Sequence, residues 1–563
     1  MIVRLNHELA NVFGELPKTL FFEYRTLAAT ANCLASDYSQ ACLRWTGLDQ
    51  SEGAAMPLPG PAAALPRRRI AKRNSWEFVA ERQTQEPIAI IGLSGRYPQA
   101  RNLDEFWLNL REGKDCITEI PGDRWSLSEL YHPDRQEAIS RGKSYSKWGG
   151  FVEGFAEFDP LFFKISPRDA ANIDPQERLF IAACWDLLED AGYTREQLST
   201  RYRGQVGVFA GITKTGFALH GPELWRQGER VHPYTSFGSV ANRVSYLLNL
   251  RGPSMPIDTM CSASLTAIHE ACEHLLRNEC ELAIAGGVNL YLHPVNYIEL
   301  CAQRMLSADG RCKSFGKDGD GFVPGEGVGV VLLKRLSQAI EADDQIYAVI
   351  RGTSINHGGK TNGYTVPNPT AQTELVRAAM EKAGIGARSL SYIEAHGTGT
   401  ELGDPIEIAG LTQAFRRDTQ DTQFCAIGSA KSNIGHLEAA AGIAGLTKVI
   451  LQLRHKQLVP SLHAEELNPN IDFGKTPFVV QRALAEWKRP IIEENGTRRE
   501  LPRIAGISSF GAGGSNAHIV VEEYVPPVDV ERRSVVVSEL QPALIVLSAK
   551  NEERLRERAE QLL

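Results

Sequence analysis

The sequence predicts an α/β protein made of two duplicated halves. Three observations lead there. Short apolar runs closed by glycine, such as Pro87-Ile88-Ala89-Ile90-Ile91-Gly92, alternate with stretches of helical periodicity. The pattern restarts near residue 345: 346–352 echoes 87–92, and 392–397 echoes 206–211. At 563 residues the chain also exceeds one ordinary hydrophobic core.

Residues 1–45 read as two helices and a turn. Val3, Leu5, Leu9, Val12 and Phe13 share one face, and Gly14 ends it. Residues 46–85 read as a linker, stiffened by Pro57, Pro59, Pro61 and Pro66 and closed by the basic run Arg67, Arg68, Arg69, Lys72 and Arg73. The basic run suits either a solvated segment or contact with an acidic partner. The first half spans 86–345. Its strand at 87–92 ends at glycine, and a helix follows at 103–110 with Asp104 in its first turn. The stretch 114–160 is long, irregular and rich in Gly, Pro and aromatics, which marks a functional loop or an interface. Pro175 suits the first turn of a helix reaching Ala191. Strands follow at 206–211 and 282–287. The second half spans 346–525, with a strand at 346–352, a helix at 371–384, a strand at 392–397 and a last strand at 518–522. Residues 526–563 read as a linker and the start of a further domain, with a strand at 544–550 and a charged helix at 551–563.

Composition narrows the function. Hydrophobic residues make up 43% and charged residues 23%, as in soluble globular proteins. A formal net charge of −7 gives no reason to expect nucleic acid, and no apolar run is long enough to span a bilayer. The residues from Met1 to His7 do not have the pattern of a secretory leader. Ten scattered cysteines without CxxC pairs argue against zinc and disulfides and suit a reducing cytoplasm.

The chemistry centres on Asp258-Thr259-Met260-Cys261-Ser262-Ala263-Ser264-Leu265. Pro253 and Pro256 keep the approach extended, and Leu265, Ile268, Cys272, Leu275 and Leu276 then fall on one helical face. Cys261 is thus expected at a helix start, where the dipole and free N–H groups favour a thiolate. On this element alone a buried structural cysteine fits equally well. Three further stretches have the composition of active-site turns. Glu394 to Thr400 places His396 at a strand end before flexible glycines. Lys431 to Gly442 places His436 at the start of a small-residue helix. Gly511 to Gly514 offers free backbone N–H groups to an anion. Each alone is weak, since a lone histidine is more often a satisfied core group.

Together, Cys261, His396, Lys431, His436, 508–516 and Gly321 to Gly327 stand in the order and contexts of β-ketoacyl synthases. The chain resembles the ketosynthase domain of modular polyketide synthases over roughly 86–525. Residues 145–151 and Met260 look most like ketosynthases served by an acyltransferase acting in trans. The resemblance implies a thiolase fold, a five-layered αβαβα sandwich, and a homodimer. Residues 1–45 resemble the C-terminal part of an acyl carrier domain, with the phosphopantetheine-bearing serine absent.

The roles that follow are those the resemblance implies. Cys261 attacks the thioester of a growing chain and becomes acylated. The amides of Cys261 and Ala512 form an oxyanion hole. His396 and His436 stabilise the enolate left when a malonyl-type extender loses CO2. Lys431 orients His436 and the charges around it, unless it is merely a surface lysine, with Glu326, Asp404 and Glu407 as candidate partners. Met260, Phe510 and Ala512 line the acyl pocket; relatives in fatty acid synthesis carry a gating Phe where this chain has Ala512. Thr398, Thr400 and Asn433 assist the carrier arm or serve as turn residues. No metal or nucleotide is implied. Phosphopantetheine arrives on acyl carrier proteins, upstream and downstream. The implied reaction is decarboxylative Claisen condensation. The alternatives are a non-elongating or β-branching ketosynthase and a non-catalytic carrier-docking module. A degradative thiolase would need a second cysteine in the late glycine stretch, and a chalcone-type synthase would have Asn in place of the second histidine.

Overall fold

The computed structural model describes residues 27–46, 86–494, 497–526 and 542–562, with isolated positions before 27. They fall into two units, Met1–Glu523 and Tyr524–Leu563.

The first unit is built on an eleven-stranded sheet. Its strands are β1 (Ile88–Arg96), β2 (Val206–Gly211), β3 (Ser254–Ile257), β4 (Leu282–Asn289), β5 (Gly327–Arg335), β6 (Ala348–His357), β7 (Tyr392–Glu394), β8 (Cys425–Gly428), β9 (Phe478–Val480), β10 (Ile504–Phe510) and β11 (Ser515–Glu523). Their spatial order is β9-β8-β7-β10-β11-β6-β1-β5-β4-β2-β3. The two halves meet where β1 pairs antiparallel with β6, Ala89 facing Val349. Outward from that seam, β1-β5-β4-β2-β3 and β6-β11-β10-β7-β8 repeat one pattern: two antiparallel pairings, then two parallel ones. The duplication read from the sequence is therefore a duplication of topology, and both sequence echoes join true counterparts, β1 with β6 and β2 with β7. Strand β9 is an addition at one edge.

Seven longer helices complete five layers: α1 (Leu103–Arg111), α2 (Pro175–Asp190), α3 (Phe237–Leu248), α4 (Ala263–Leu276), α5 (Pro369–Ala383), α6 (Gly403–Phe415) and α7 (Ala441–His455). α2 and α3 cover the outer face of the first half-sheet, while α5 covers that of the second, with α6 packed beside it. Between the halves lie α4, which packs on β2 and β4 on one side and on β6 and β11 on the other, and α7. Every residue of α7 from Ala441 to Leu453 is buried. Small residues permit this: a Cβ on Gly442 would lie 2.5 Å from the Leu265 side chain of α4. Ser264 Oγ accepts the Ile443 N–H at 3.0 Å and so caps α7 from the other half of the chain. The one charge within α7's buried stretch, Lys448, pairs with Glu394 at 2.8 Å.

Local chemistry explains the helix starts. Asp174 accepts the Gln176 N–H with Pro175 in the first turn of α2, and Asn368 accepts the Thr370 and Ala371 N–H groups with Pro369 opening α5. The cap of α1 is Asn102, ahead of Asp104.

Two expectations are corrected. β1 does not end at Gly92 but runs to Arg96 through an irregularity between Ile90 and Gly92. The glycine is there for close approach, since a Cβ would lie 2.9 Å from Ala191 Cβ at the end of α2. In the second unit, 542–549 forms no strand. Leu544 and Val546 stay exposed and the segment has no pairing partner among the described residues, without which a strand is not stable. The helix expected at 551–563 is observed as Glu552–Leu562. Near the start, Leu27–Asp37 and Ser39–Thr46 are helical and share a small core with Phe13 and Leu20. Most of the first helix expected there, and all of the 46–85 linker except the helical Thr46, lie outside the described residues. Among the described residues no helix is long and apolar enough to cross a membrane.

Candidate active site

Counterpart positions in the two halves deliver the reactive groups. Cys261 follows β3, and His436 follows the matching strand β8. After β3, Asp258 Oδ1 accepts the Met260 N–H at 3.0 Å, and Met260 takes the left-handed φ of 55°. This sharp elbow, costly for a non-glycine residue, presents Cys261 immediately before α4. The elbow is tied to the β10–β11 hairpin. Ser509 Oγ donates to Cys261 O at 2.6 Å, and Ser262 Oγ lies 2.9 Å from Ser515 O.

His396 leaves the end of β7. Its backbone N–H and that of Gly397 donate to the two oxygens of Glu407, at 2.7 and 2.8 Å, so α6 holds the turn. The Phe510 N–H faces His396 Nδ1 at 3.4 Å. The His436 N–H donates to Val323 O at 2.7 Å, and His436 Nδ1 accepts the Glu438 N–H at 2.9 Å. In each ring Nδ1 is thus an acceptor, which leaves the proton on Nε2. Burial, with Lys431 adding repulsion, pushes both imidazoles well below the usual histidine range. The result is two neutral Nε2–H donors with ring centroids 5.3 Å apart and planes 83° apart. Phe510 packs on His396 and Phe322 on His436.

Cys261, both histidines, Phe510 and 511–514 line one open cavity of about 1150 Å³, together with Thr398 and Thr400. The Ala512 N–H bonds the Cys261 sulfur and favours its thiolate. Burial outweighs this and, helped by the Glu438 carboxylate, pushes the thiol up to about 12. Burial and the helix start thus act on this sulfur in opposite directions.

The supporting residues sort differently from expectation. Lys431 is buried, which excludes a surface role; burial pushes it down, while Glu394 and Glu407 favour its charge. Asp404 accepts the Phe315 and Gly399 N–H groups, at 2.7 and 3.1 Å. Burial raises Asp404 to about 6 and Glu407 to about 7. Glu326 is not a partner of Lys431. It forms a two-point pair with Arg124, with Nη2 at 2.7 Å, and also accepts the Val152 and Tyr291 N–H groups. Asn433 does not line the cavity: it is buried, and its Nδ2 donates to Lys114 O at 3.2 Å. Met260, at the left-handed elbow, is 39% exposed and is not among the residues that line this cavity.

Sequence reasoning passed over Glu438. Its carboxylate takes Lys214 at 2.7 Å and the Tyr291 hydroxyl, and its φ of 40° lets its own N–H turn back to His436. The available signal was a lone acid inside the small-residue run Glu438-Ala439-Ala440-Ala441-Gly442. Glu394, which accepts the Ala430 N–H at 2.6 Å beside Lys448, was visible only as part of a motif.

Comparison with known proteins gives the family. The profiles described as "Beta-ketoacyl synthase, N-terminal domain" and "Beta-ketoacyl synthase, C-terminal domain" match residues 85–339 and 347–465. The chain belongs to the β-ketoacyl synthase family. "Ketoacyl-synthetase C-terminal extension" matches 468–563. The ketosynthase is 53% identical over 574 residues to polyketide synthase PksL of Bacillus subtilis, covering 100% of this chain and 12% of that protein. It is 51% identical over 593 residues to polyketide synthase ThaG of Burkholderia thailandensis, covering 100% of this chain and 10% of that protein. It thus spans about an eighth or less of these relatives. Among solved structures it resembles the oxazolomycin ketosynthase domain OzmH KS7 of Streptomyces albus, with TM-score 0.74 and 51% identity, covering 78% of this chain and 76% of that one. The ketosynthase from module 6 of the bacillaene synthase of Bacillus subtilis matches with TM-score 0.73 and 42% identity, covering 85% and 76%. The chain is a condensing, acyl-transferring ketosynthase of the modular polyketide synthase kind.

Proposed function

We propose that this ketosynthase extends a polyketide by decarboxylative Claisen condensation on carrier-bound substrates. Cys261 attacks the acyl thioester of an upstream carrier. Its thiol proton passes to the departing phosphopantetheine sulfur, so acyl-cysteine and free carrier thiol form with charge balanced. The Ala512 and Cys261 amides hold the carbonyl oxygen as it becomes an oxyanion. A malonyl-type thioester on a downstream carrier then enters, and its carbonyl oxygen takes the Nε2–H groups of His396 and His436. Loss of CO2 leaves an enolate whose oxygen charge those donors stabilise. The enolate carbon attacks the acyl-cysteine, a C–C bond forms, and Cys261 leaves as a thiolate that takes a proton from solvent water.

The observation that supports this reading best is the pair of neutral imidazoles whose Nδ1 atoms each face a backbone N–H. Both are kept as donors and neither as a cation, which suits an oxyanion-like enolate better than a bulk acid would. Phe510 and Ala512 line the acyl pocket, and Thr398 and Thr400 contact the carrier arm. Lys431 and Glu407 hold the histidine turns. The acyl carriers, an acyltransferase acting in trans, a homodimer and a cytoplasmic location complete the proposal.

The test uses the acylated enzyme. His396→Ala and His436→Ala should each still accept an acyl group on Cys261, yet discharge it to malonyl-carrier more slowly by roughly 10²–10³-fold. Discharge at the wild-type rate in both variants would overturn the assignment.

A further inference from the structure

The glycine loop that carries Ala512 needs something to hold it. Residues 511–514 form the turn between β10 and β11, and three of its four residues are glycine. Internal bonds are few: the Gly511 N–H donates to Ser515 O at 2.7 Å, and the Gly514 N–H to Gly511 O at 2.8 Å. Gly513 and its carbonyl are left to neighbours.

Those neighbours sit just past β6. His357 ends that strand opposite Ser515, the first residue of β11, so its side chain can reach back to the turn. His357 Nε2 lies 2.9 Å from Gly513 O, and the next residue's N–H, Gly358, donates to Gly514 O at 2.8 Å. The ring's other nitrogen is also engaged. Nδ1 accepts the Gly359 N–H at 2.9 Å, so the proton rests on Nε2 and the contact to Gly513 is a true donation. Asn368 anchors the strap from behind, with its Nδ2 donating to Gly358 O and its Oδ1 capping α5. His357, Gly358 and the 511–514 turn all line the catalytic cavity.

We propose that His357 is a positioning residue for acyl transfer, clamping the oxyanion loop through the Gly513 carbonyl. Its role runs through the loop and not through contact with the reacting atoms. It restricts a glycine turn whose backbone freedom would otherwise let the Ala512 N–H swing away from Cys261. The proposal rests on the reading that Ala512 serves the acyl oxyanion, and it extends that reading by separating two steps. The clamp serves acylation, whereas decarboxylation relies on the histidine pair, held chiefly by Glu407 and the Glu438 N–H, with only the Phe510 N–H reaching His396 from the loop's own hairpin.

The experiment compares His357→Phe and His357→Gln with the wild-type chain. Acylation of Cys261 by a soluble acyl N-acetylcysteamine thioester is followed by intact mass, and CO2 release from malonyl-carrier is followed separately. His357→Phe should acylate roughly 10- to 100-fold more slowly while decarboxylating within about twofold of wild type. His357→Gln keeps an amide donor in place of Nε2–H and should recover most of the acylation rate. The proposal is overturned if His357→Phe acylates normally, if both steps fall together, or if Gln rescues no better than Phe. A wild-type enzyme that failed to acylate at Cys261 would instead overturn the functional reading beneath it.

Discussion

Glu407→Gln isolates the way the protein holds its first histidine. The carboxylate spans the His396 and Gly397 N–H groups at 2.7 and 2.8 Å. An amide keeps one acceptor and turns a donor toward the other N–H, at a cost of about 1–3 kcal/mol for a buried unsatisfied donor. His396 then shifts, and the enolate step depends on its Nε2–H. Discharge of acyl-Cys261 by malonyl-carrier should therefore slow by roughly 10- to 100-fold while acylation stays near wild type. A second signature comes from titration. Burial raises Glu407 from 4.5 to about 7 in the folded chain. The folded state thus holds this proton more tightly than the unfolded one. The resulting stabilisation is present below about pH 4.5 and is lost as pH rises through about 7. At 1.36 kcal/mol for each pH unit between the two values, wild type loses about 2–3 kcal/mol between pH 5 and pH 8 from this group. The glutamine variant does not. Urea unfolding at both pH values should show the stability difference moving toward the variant by that amount. Parallel pH dependence of the two proteins, or equal loss of acylation and discharge, would refute the reasoning.

Other expectations concern the elbow and its charges. Glu438 pushes the Cys261 thiol up and Lys214 pulls it down, so Glu438→Gln should speed iodoacetamide alkylation at Cys261 severalfold at pH 8 and Lys214→Met should slow it, read by peptide mass. Gly511→Ala places a Cβ 2.4 Å from Thr259 O; backbone cannot yield as a side chain can, so the oxyanion turn shifts and acylation should fall at least ~10-fold. Lys431→Met removes the cation set among Glu394, Asp404 and Glu407, and unfolding should show a loss of about 3–5 kcal/mol, the usual cost of stranding buried charge.

Much of this was legible in the sequence because period and punctuation carry topology. The echoes of 87–92 in 346–352 and of 206–211 in 392–397 join strands that hold matching places in the sheet. The sequence also marked Cys261, His396, His436 and the late glycine loop, since each sits where a strand stops and small residues follow. What it could not carry was pairing across hundreds of residues. Nothing near Glu326 announces Arg124, 202 residues away, as its partner instead of Lys431. The same distance problem hid Lys214 beside Glu438. Which turn residues meet the cavity was also out of reach, because a one-residue change of direction decides it: Met260 stays outside the lining, and Asn433 takes the turn role that stood as its alternative. The left-handed Met260 is such a change. At Cys261 the helix start and burial pull in opposite directions, and the burial comes from neighbours that the sequence does not place beside it. The strand expected at 544–550 had the right composition and no partner among the described residues.

The central claim is that Cys261 accepts an acyl chain and gives it up to a decarboxylating extender. Intact-mass analysis of the purified chain, first with an acyl thioester and then with malonyl-carrier, tests it beside Cys261→Ala. The account expects wild type to gain one acyl mass, the variant to gain none, and the acyl mass to leave wild type as a condensed β-ketoacyl-carrier. Acylation of Cys261→Ala, or an acyl-enzyme that malonyl-carrier never discharges, would contradict it.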